Sequence, residues 1–227
     1  MADIQTQKLE IPVAGAGPMP AFLAAPSGAG PFPAVLVLEE IFGVNSHIRK
    51  VCDSYAQEGF VAIAPALFDR VQKGIALGYG PEDIARGREL KAHAKTNHAL
   101  SDVAAARASV APNGSVGVIG YCWGGFVTWM AAARLAGFAC AVCYYGGGMT
   151  EAGDETPQCP VMAHFGERDA SIPVDGVRRF AQAHPQVDVL LYDADHAFNN
   201  DERKNYNAAA SALARQRSLD FLRRYIG

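Results

Sequence analysis

Long hydrophobic runs are missing from this sequence: no stretch approaches the roughly 18 apolar residues of a membrane-spanning helix, so no membrane partner is expected. An excess of basic charge is missing as well. Lys and Arg number 20 against 23 Asp and Glu, a net charge of −3. Nucleic acid would call for a basic face, and none is implied. The opening MADIQTQKLE is polar and carries Asp3 and Glu10, which does not read as a secretory signal. Cysteine is scarce, with five residues: Cys52, Cys122, Cys140, Cys143 and Cys159. An odd count without a signal argues for reduced thiols and a cytoplasmic protein. Repeats, low-complexity tracts and long linkers are absent, so one domain over residues 1–227 is expected. No His/Cys/acid cluster has ligand spacing, so neither a metal nor another cofactor is implied. With no heptad pattern a monomer is expected.

What is present is an alternation of short apolar runs with helical stretches. Two extended pieces open the chain, Lys8–Val13 and Met19–Ala25, followed by breakers over Pro26–Pro33. The continuous apolar run Ala34–Leu38 fits a strand buried on both faces and ends abruptly in Glu39 and Glu40. Ser46 can cap a helix through Glu58, which Gly59 ends before the strand Phe60–Ala64. A loop over 65–80 leads to helices near 81–95 and 98–110 and a turn at Pro112-Asn113-Gly114. Strands then fall at 115–119, 138–144, 161–165 and 187–192, with helices at Trp123–Leu135, Val174–His184 and Tyr206–Tyr225. This order gives an α/β fold: a mostly parallel sheet with helices on both faces, its reactive groups at the carboxyl edge.

The sharpest local signal is Gly120-Tyr121-Cys122-Trp123-Gly124-Gly125, between a strand and a helix. A strand that reverses directly into a helix holds its turning residue in a strained conformation and tolerates only small neighbours. The turning side chain is then presented at a helix N-terminus, where the dipole and free N–H groups favour a thiolate. A dinucleotide-binding turn would need a different glycine spacing and an acid downstream, and neither is present. A structural cysteine in a glycine-rich turn is the plainer alternative. Two later loops weigh against it, because an acid and then a base should follow the nucleophile, each after a strand. Asp169 follows the strand 161–165, and His196 follows 187–192. Glu167 sits too near its strand end and Asp195 is adjacent to His196, so both are weaker candidates. Cys140-x-x-Cys143 lies in a strand, where positions three apart face opposite ways, and reads as two core residues.

Of the other histidines, His164 lies inside a strand, whereas His47, His93, His98 and His184 sit on helices or at their ends and are expected in solvent. Glu40 closes a buried strand, which is costly for a carboxylate without a partner or a task. A nearby arginine as partner and a role in the chemistry are equally open from the residues alone. In a fold of this kind the residue after the nucleophile and the loop after this strand supply N–H groups to an oxyanion, here Trp123 and Ile41.

Taken together, Glu40-Ile41-Phe42-Gly43-Val44-Asn45, the cysteine elbow, Tyr144-Tyr145-Gly146, Gly166-x-x-Asp169 and His196-x-Phe198 resemble the dienelactone hydrolase (carboxymethylenebutenolidase) family from about Ala34 to Phe221. The resemblance implies an α/β-hydrolase fold, a Cys122–His196–Asp169 triad, and a small ester or enol-lactone substrate opened through a thioester. It also implies that Glu40 holds the resting thiol protonated and then takes its proton. Family members specific for dienelactone hold its carboxylate with two arginines and a tyrosine. Arg88 matches one arginine, but Ala92 stands at the tyrosine position and Asn200 at the second arginine, with Arg203 further on. Phe42, Tyr145 and Phe198, with Trp123, are candidates for the pocket wall. Rival readings are a general carboxylesterase or a thiol-dependent peptidase of the same fold, a redox-active thiol protein, and a non-catalytic binding scaffold.

Overall fold

The computed structural model describes residues 3–152 and 154–227. Eight strands form one sheet: β1 (Ile4–Ile11), β2 (Met19–Pro26), β3 (Ala34–Leu38), β4 (Val61–Pro65), β5 (Val116–Tyr121), β6 (Cys140–Tyr144), β7 (Val161–Gly166) and β8 (Val187–Tyr192). Their order is β1-β2-β4-β3-β5-β6-β7-β8. From β4 through β8 all neighbours run parallel; β1 and β2 pair antiparallel with each other and β2 antiparallel with β4. Every residue of β3 to β7 is buried, which requires cover on both faces of the sheet. The edge strands β1 and β8 have exposed or half-buried positions instead. The architecture is that of an α/β hydrolase, as expected.

Among the described residues six α-helices provide the cover: α1 (Ser46–Gln57), α2 (Pro81–His93), α3 (Thr96–Val110), α4 (Trp123–Arg134), α5 (Val174–Ala183) and α6 (Ala208–Ile226). No helix of the described residues is long and apolar enough to cross a membrane. Several boundaries differ from the sequence expectation for identifiable reasons. The cap of α1 is Asn45 rather than Ser46: its side chain accepts from the Ile48 N–H at 3.2 Å, and the Ser46 hydroxyl donates to Glu202 instead. β5 runs two residues past its expected end, through Gly120 and Tyr121. A glycine ordinarily weakens a strand, but here its missing side chain is what admits the following helix.

His47 and His184, expected in solvent, are buried at 3% and 5% exposure. The His184 ring is turned inward onto Trp129 and Phe180, and His47 lies 3.6 Å from Asp201 Oδ1 and edge-on to Tyr121. An end-of-helix position sets no exposure where the neighbouring aromatic rings leave a slot for the imidazole.

Below the carboxyl edge a buried polar row crosses three strands. Tyr192 Oη lies 2.8 Å from His164 Nδ1, His164 Nε2 lies 3.0 Å from Ser218 Oγ, and that hydroxyl lies 2.8 Å from Tyr144 Oη. Burial, aided by the charge of Arg217, lowers the His164 pKa to about 3. The unfolded chain takes up this proton near pH 6.5 and the folded chain refuses it until about pH 3. Stability is therefore whole above the unfolded value and falls by up to about 1.4 kcal/mol per pH unit on acidification between the two. Urea unfolding of His164→Asn should show lower stability at pH 7 but an acid slope shallower by one proton. An unchanged slope would show that His164 does not resist protonation in the fold.

Candidate active site

A single residue separates the last position of β5 from the first of α4, and that residue is Cys122, at φ 55° and ψ −115°. Positive φ costs a non-glycine residue about 1–3 kcal/mol and persists only where surroundings over-determine it. The surroundings here are three close backbone approaches. A Cβ on Gly120 would lie 2.1 Å from the Gly124 carbonyl oxygen, one on Gly124 2.4 Å from that of Leu38, and one on Gly125 2.6 Å from that of Tyr144. The Cys122 N–H donates to the Tyr144 carbonyl at 3.0 Å. The Gly124 approach thus presses the N-terminus of α4 against the end of β3. Trp123 is the first residue of α4, so its N–H has no carbonyl one turn back.

Three loops at the carboxyl edge converge on the thiol. The His196 Nε2 lies 3.2 Å from Cys122 Sγ, and Nδ1 lies 2.6 Å from Asp169 Oδ2. A carboxylate can only accept, so Nδ1 carries the proton and Nε2 is left to face the sulfur. Asp169 is held in turn by the Ser171 N–H at 2.8 Å and its hydroxyl at 2.6 Å, both on Oδ1. The acid and base loops touch directly: a Cβ on Gly166 would lie 2.3 Å from the Ala194 carbonyl oxygen, and the Arg168 N–H donates to that same carbonyl. Asn205 donates to the His196 carbonyl at 3.1 Å beside Ala197, which itself sits at φ 63°. Glu167 is exposed, and Asp195 lies outside this chain of contacts.

Burial works to lower the His196 pKa, but the charge of Cys122 and the hydrogen bond to Asp169 outweigh it and raise the imidazole to about 10. Burial likewise opposes ionisation of Asp169, yet the hydrogen bond and charge of His196, with the Ser171 donors, hold it below the usual carboxylate value. The imidazole is thereby placed to exchange a proton with the Cys122 sulfur.

Glu40 is 1% exposed, and no arginine binds it. Its Oε2 accepts from Asn200 Nδ2 at 2.9 Å and from the Tyr79 hydroxyl at 3.4 Å, while Oε1 is buried without a hydrogen-bond partner among the described residues. The thiol is turned to His196, and no hydrogen bond joins Glu40 to it here. The Tyr145 hydroxyl is also buried and unpartnered; burial, then the charges of Glu40 and Cys122, push its pKa up. The Tyr145 ring stands 5.0 Å from that of His196 and 5.4 Å from that of Phe198. Phe198 is fully buried, Phe42 packs edge-on to Tyr79 at 4.7 Å, and the Trp123 ring stacks on Phe68 at 4.5 Å. Arg88 is exposed on α2 and makes no hydrogen bond or ion pair with the described residues; Ala92 is exposed one turn on. Its neighbour Gly87 rests on the Ile41 carbonyl, where a Cβ would lie 2.6 Å away. Sequence reasoning missed Tyr79, Ser171 and Asn205, which no motif marks, and gave Asn45, though it lies in a quoted motif, no role of its own.

Fold and edge geometry define the chain as an α/β hydrolase. Its relatives narrow the class. The profile of the "Dienelactone hydrolase family" matches residues 19–226. The chain is 38% identical over 240 residues to a "Putative carboxymethylenebutenolidase" of Synechocystis sp., covering 95% of each. It is 34% identical over 234 residues to the carboxymethylenebutenolidase of Pseudomonas sp. (strain P51), covering 96% of this chain and 95% of that one. A crystal structure titled "Putative Dienelactone Hydrolase" from Klebsiella pneumoniae superposes with a TM-score of 0.86 at 33% identity, over 98% of this chain and 100% of that one. The protein belongs to the dienelactone hydrolase family and is a hydrolase of that type.

Thiol chemistry offers a direct check on the site. Burial raises the Cys159 and Cys140 pKa values to about 11 and about 12, and those of Cys52 and Cys143 further. Iodoacetamide at pH 7, followed by peptide mass spectrometry, should alkylate Cys122 at least about tenfold faster than Cys159. First labelling of Cys159 would contradict the activated state of Cys122.

Proposed function

We propose that this protein opens an ester or enol-lactone bond with Cys122 as nucleophile, through a thioester. The observation that carries the proposal is the continuous contact from Cys122 Sγ through His196 to Asp169, 3.2 Å and then 2.6 Å, on a strained elbow. Cys122 loses its proton to His196 Nε2, by way of Glu40, and attacks the carbonyl carbon as thiolate, and the carbonyl π electrons move to oxygen. The Trp123 and Ile41 N–H groups receive that oxyanion, each such donor being worth about 3–4 kcal/mol of barrier. Collapse expels the ring or alcohol oxygen, which takes a proton from His196 Nε2. His196, neutral again, then draws a proton from water as it attacks the thioester, and the acid product leaves with the thiolate restored. Asp169 keeps His196 in the one tautomer that can do both.

Glu40 relays the thiol proton to His196 when substrate enters. Its unpartnered Oε1 supports this role, as do the charges of Glu40 and Cys122, both of which act on the Tyr145 hydroxyl. A thiolate expels an enolate far more readily than an amine, which favours lactone over amide. The names of the relatives point the same way, the Pseudomonas relative being a carboxymethylenebutenolidase.

Turnover of an enol-lactone panel tests the proposal. Cys122→Ala should lower kcat by at least about 10⁴-fold, with the fold intact. Glu40→Gln should lower it at least about tenfold, with KM little changed. Full activity in Cys122→Ala would end the cysteine mechanism, and an unchanged rate in Glu40→Gln would remove Glu40 from it.

A further inference from the structure

A buried carboxylate beside a nucleophile ordinarily has a cation against it, because an unpaired buried charge is costly and its field is poorly screened. Glu40 has none. Its donors are an amide and a phenol, Asn200 Nδ2 at 2.9 Å and Tyr79 Oη at 3.4 Å. Both donors are themselves braced by neutral groups. Asn45 Nδ2 donates to the Tyr79 hydroxyl at 3.0 Å and to the Leu77 carbonyl at 3.0 Å, while its oxygen caps α1. Asn200 is fully buried, and its Oδ1 accepts from the Glu202 N–H at 3.0 Å. The Glu202 carboxylate points away, onto Ser46 and Lys50. Arg203 is the guanidinium packed on this cluster. It lies over the Phe42 and Tyr79 rings at 5.5 Å and 5.8 Å and makes no hydrogen bond or ion pair with Glu40. Half-buried rather than buried, it is screened by water in a way that Glu40 is not.

A second anion placed near Oε1 would meet this unscreened charge at close range, and like charges at such distances strongly disfavour joint ionisation. We infer that the neutral clamp of Asn200, Tyr79 and Asn45 on Glu40 makes the site select uncharged ester or lactone substrates over those carrying a carboxylate beside the scissile bond. Asn200 is the positioning residue of this device, acting through Glu40. The inference rests on the hydrolase proposed above and specifies its substrate class. Tyr79 stays a donor because burial, then the charge of Glu40, raises its pKa.

The test compares one enol lactone bearing a carboxylate with its carboxamide counterpart, on the full-length enzyme. Wild type should favour the carboxamide by at least about tenfold in kcat/KM, the size expected of one like-charge contact. In Glu40→Gln, an isosteric change, both rates fall but their ratio should narrow to near unity. Asn200→Ala removes the best donor to the buried carboxylate, which is then no longer held in its clamped position. Its ratio should narrow in the same direction, whereas a merely structural loss would lower both rates equally and leave the ratio unmoved. Wild type turning over the carboxylated lactone as well or better would overturn the inference. Should that preference vanish in Arg203→Gln, the guanidinium rather than Glu40 governs charge selection. Wild-type activity toward neither lactone would defeat the hydrolase reading itself, and this inference with it.

Discussion

The reversal of strand into helix at one residue, Cys122, is the constraint on which the rest of the site depends. At φ 55° that residue is held against its own preference, by about 1–3 kcal/mol. The strain is offset by the full burial of β3, β5 and β6 on either side, and by backbone contacts too close for any side chain. Because α4 starts immediately, its free N–H groups and positive dipole end face the sulfur. Because Gly124 seats that helix on the Leu38 and Glu39 carbonyls, the chain leaves β3 toward Glu40 and Ile41 against the N-terminus of α4.

The same strand ends that carry the side chains also anchor the loops. The Tyr144 carbonyl holds the Cys122 N–H, the His164 carbonyl holds that of Tyr145, and the Tyr192 carbonyl holds those of Glu167 and Ala194. Tyr144, His164 and Tyr192 are joined through their side chains and Ser218 in one buried row. The loops that carry Cys122, Asp169 and His196 therefore spring from a hydrogen-bonded platform rather than from three independent strand ends. Such a platform is what a contact of 3.2 Å between sulfur and imidazole requires, since loop residues on their own would wander.

Much of this was legible in the sequence. Continuous apolar runs bounded by breakers marked the buried strands, because burial on both faces removes the alternation that a half-exposed strand would show. The elbow announced itself through glycines whose absence of side chain has one steric purpose. Asp169 and His196 followed from chain order, and the structure joins them to Cys122. The histidine exposures were not legible: His47 and His184 are buried by rings from distant elements, which no local pattern reports. Nor was the setting of Glu40. An arginine partner was one open possibility, and the structure supplies Asn200 and Tyr79 instead, from loops 160 and 39 positions away. Residues that act by bracing other residues carry no motif, because any donor at the right place will serve.

The central claim is that Cys122 becomes covalently acylated during turnover, and trapping the adduct tests it most directly. An enol lactone mixed with enzyme, quenched in acid within the first turnovers and digested for mass spectrometry, should leave the peptide containing Cys122 heavier by the mass of the whole lactone. The adduct should be labile to hydroxylamine, as a thioester is. Product formation with that peptide unmodified at every quench time, or with the lactone mass on another residue, would contradict the account.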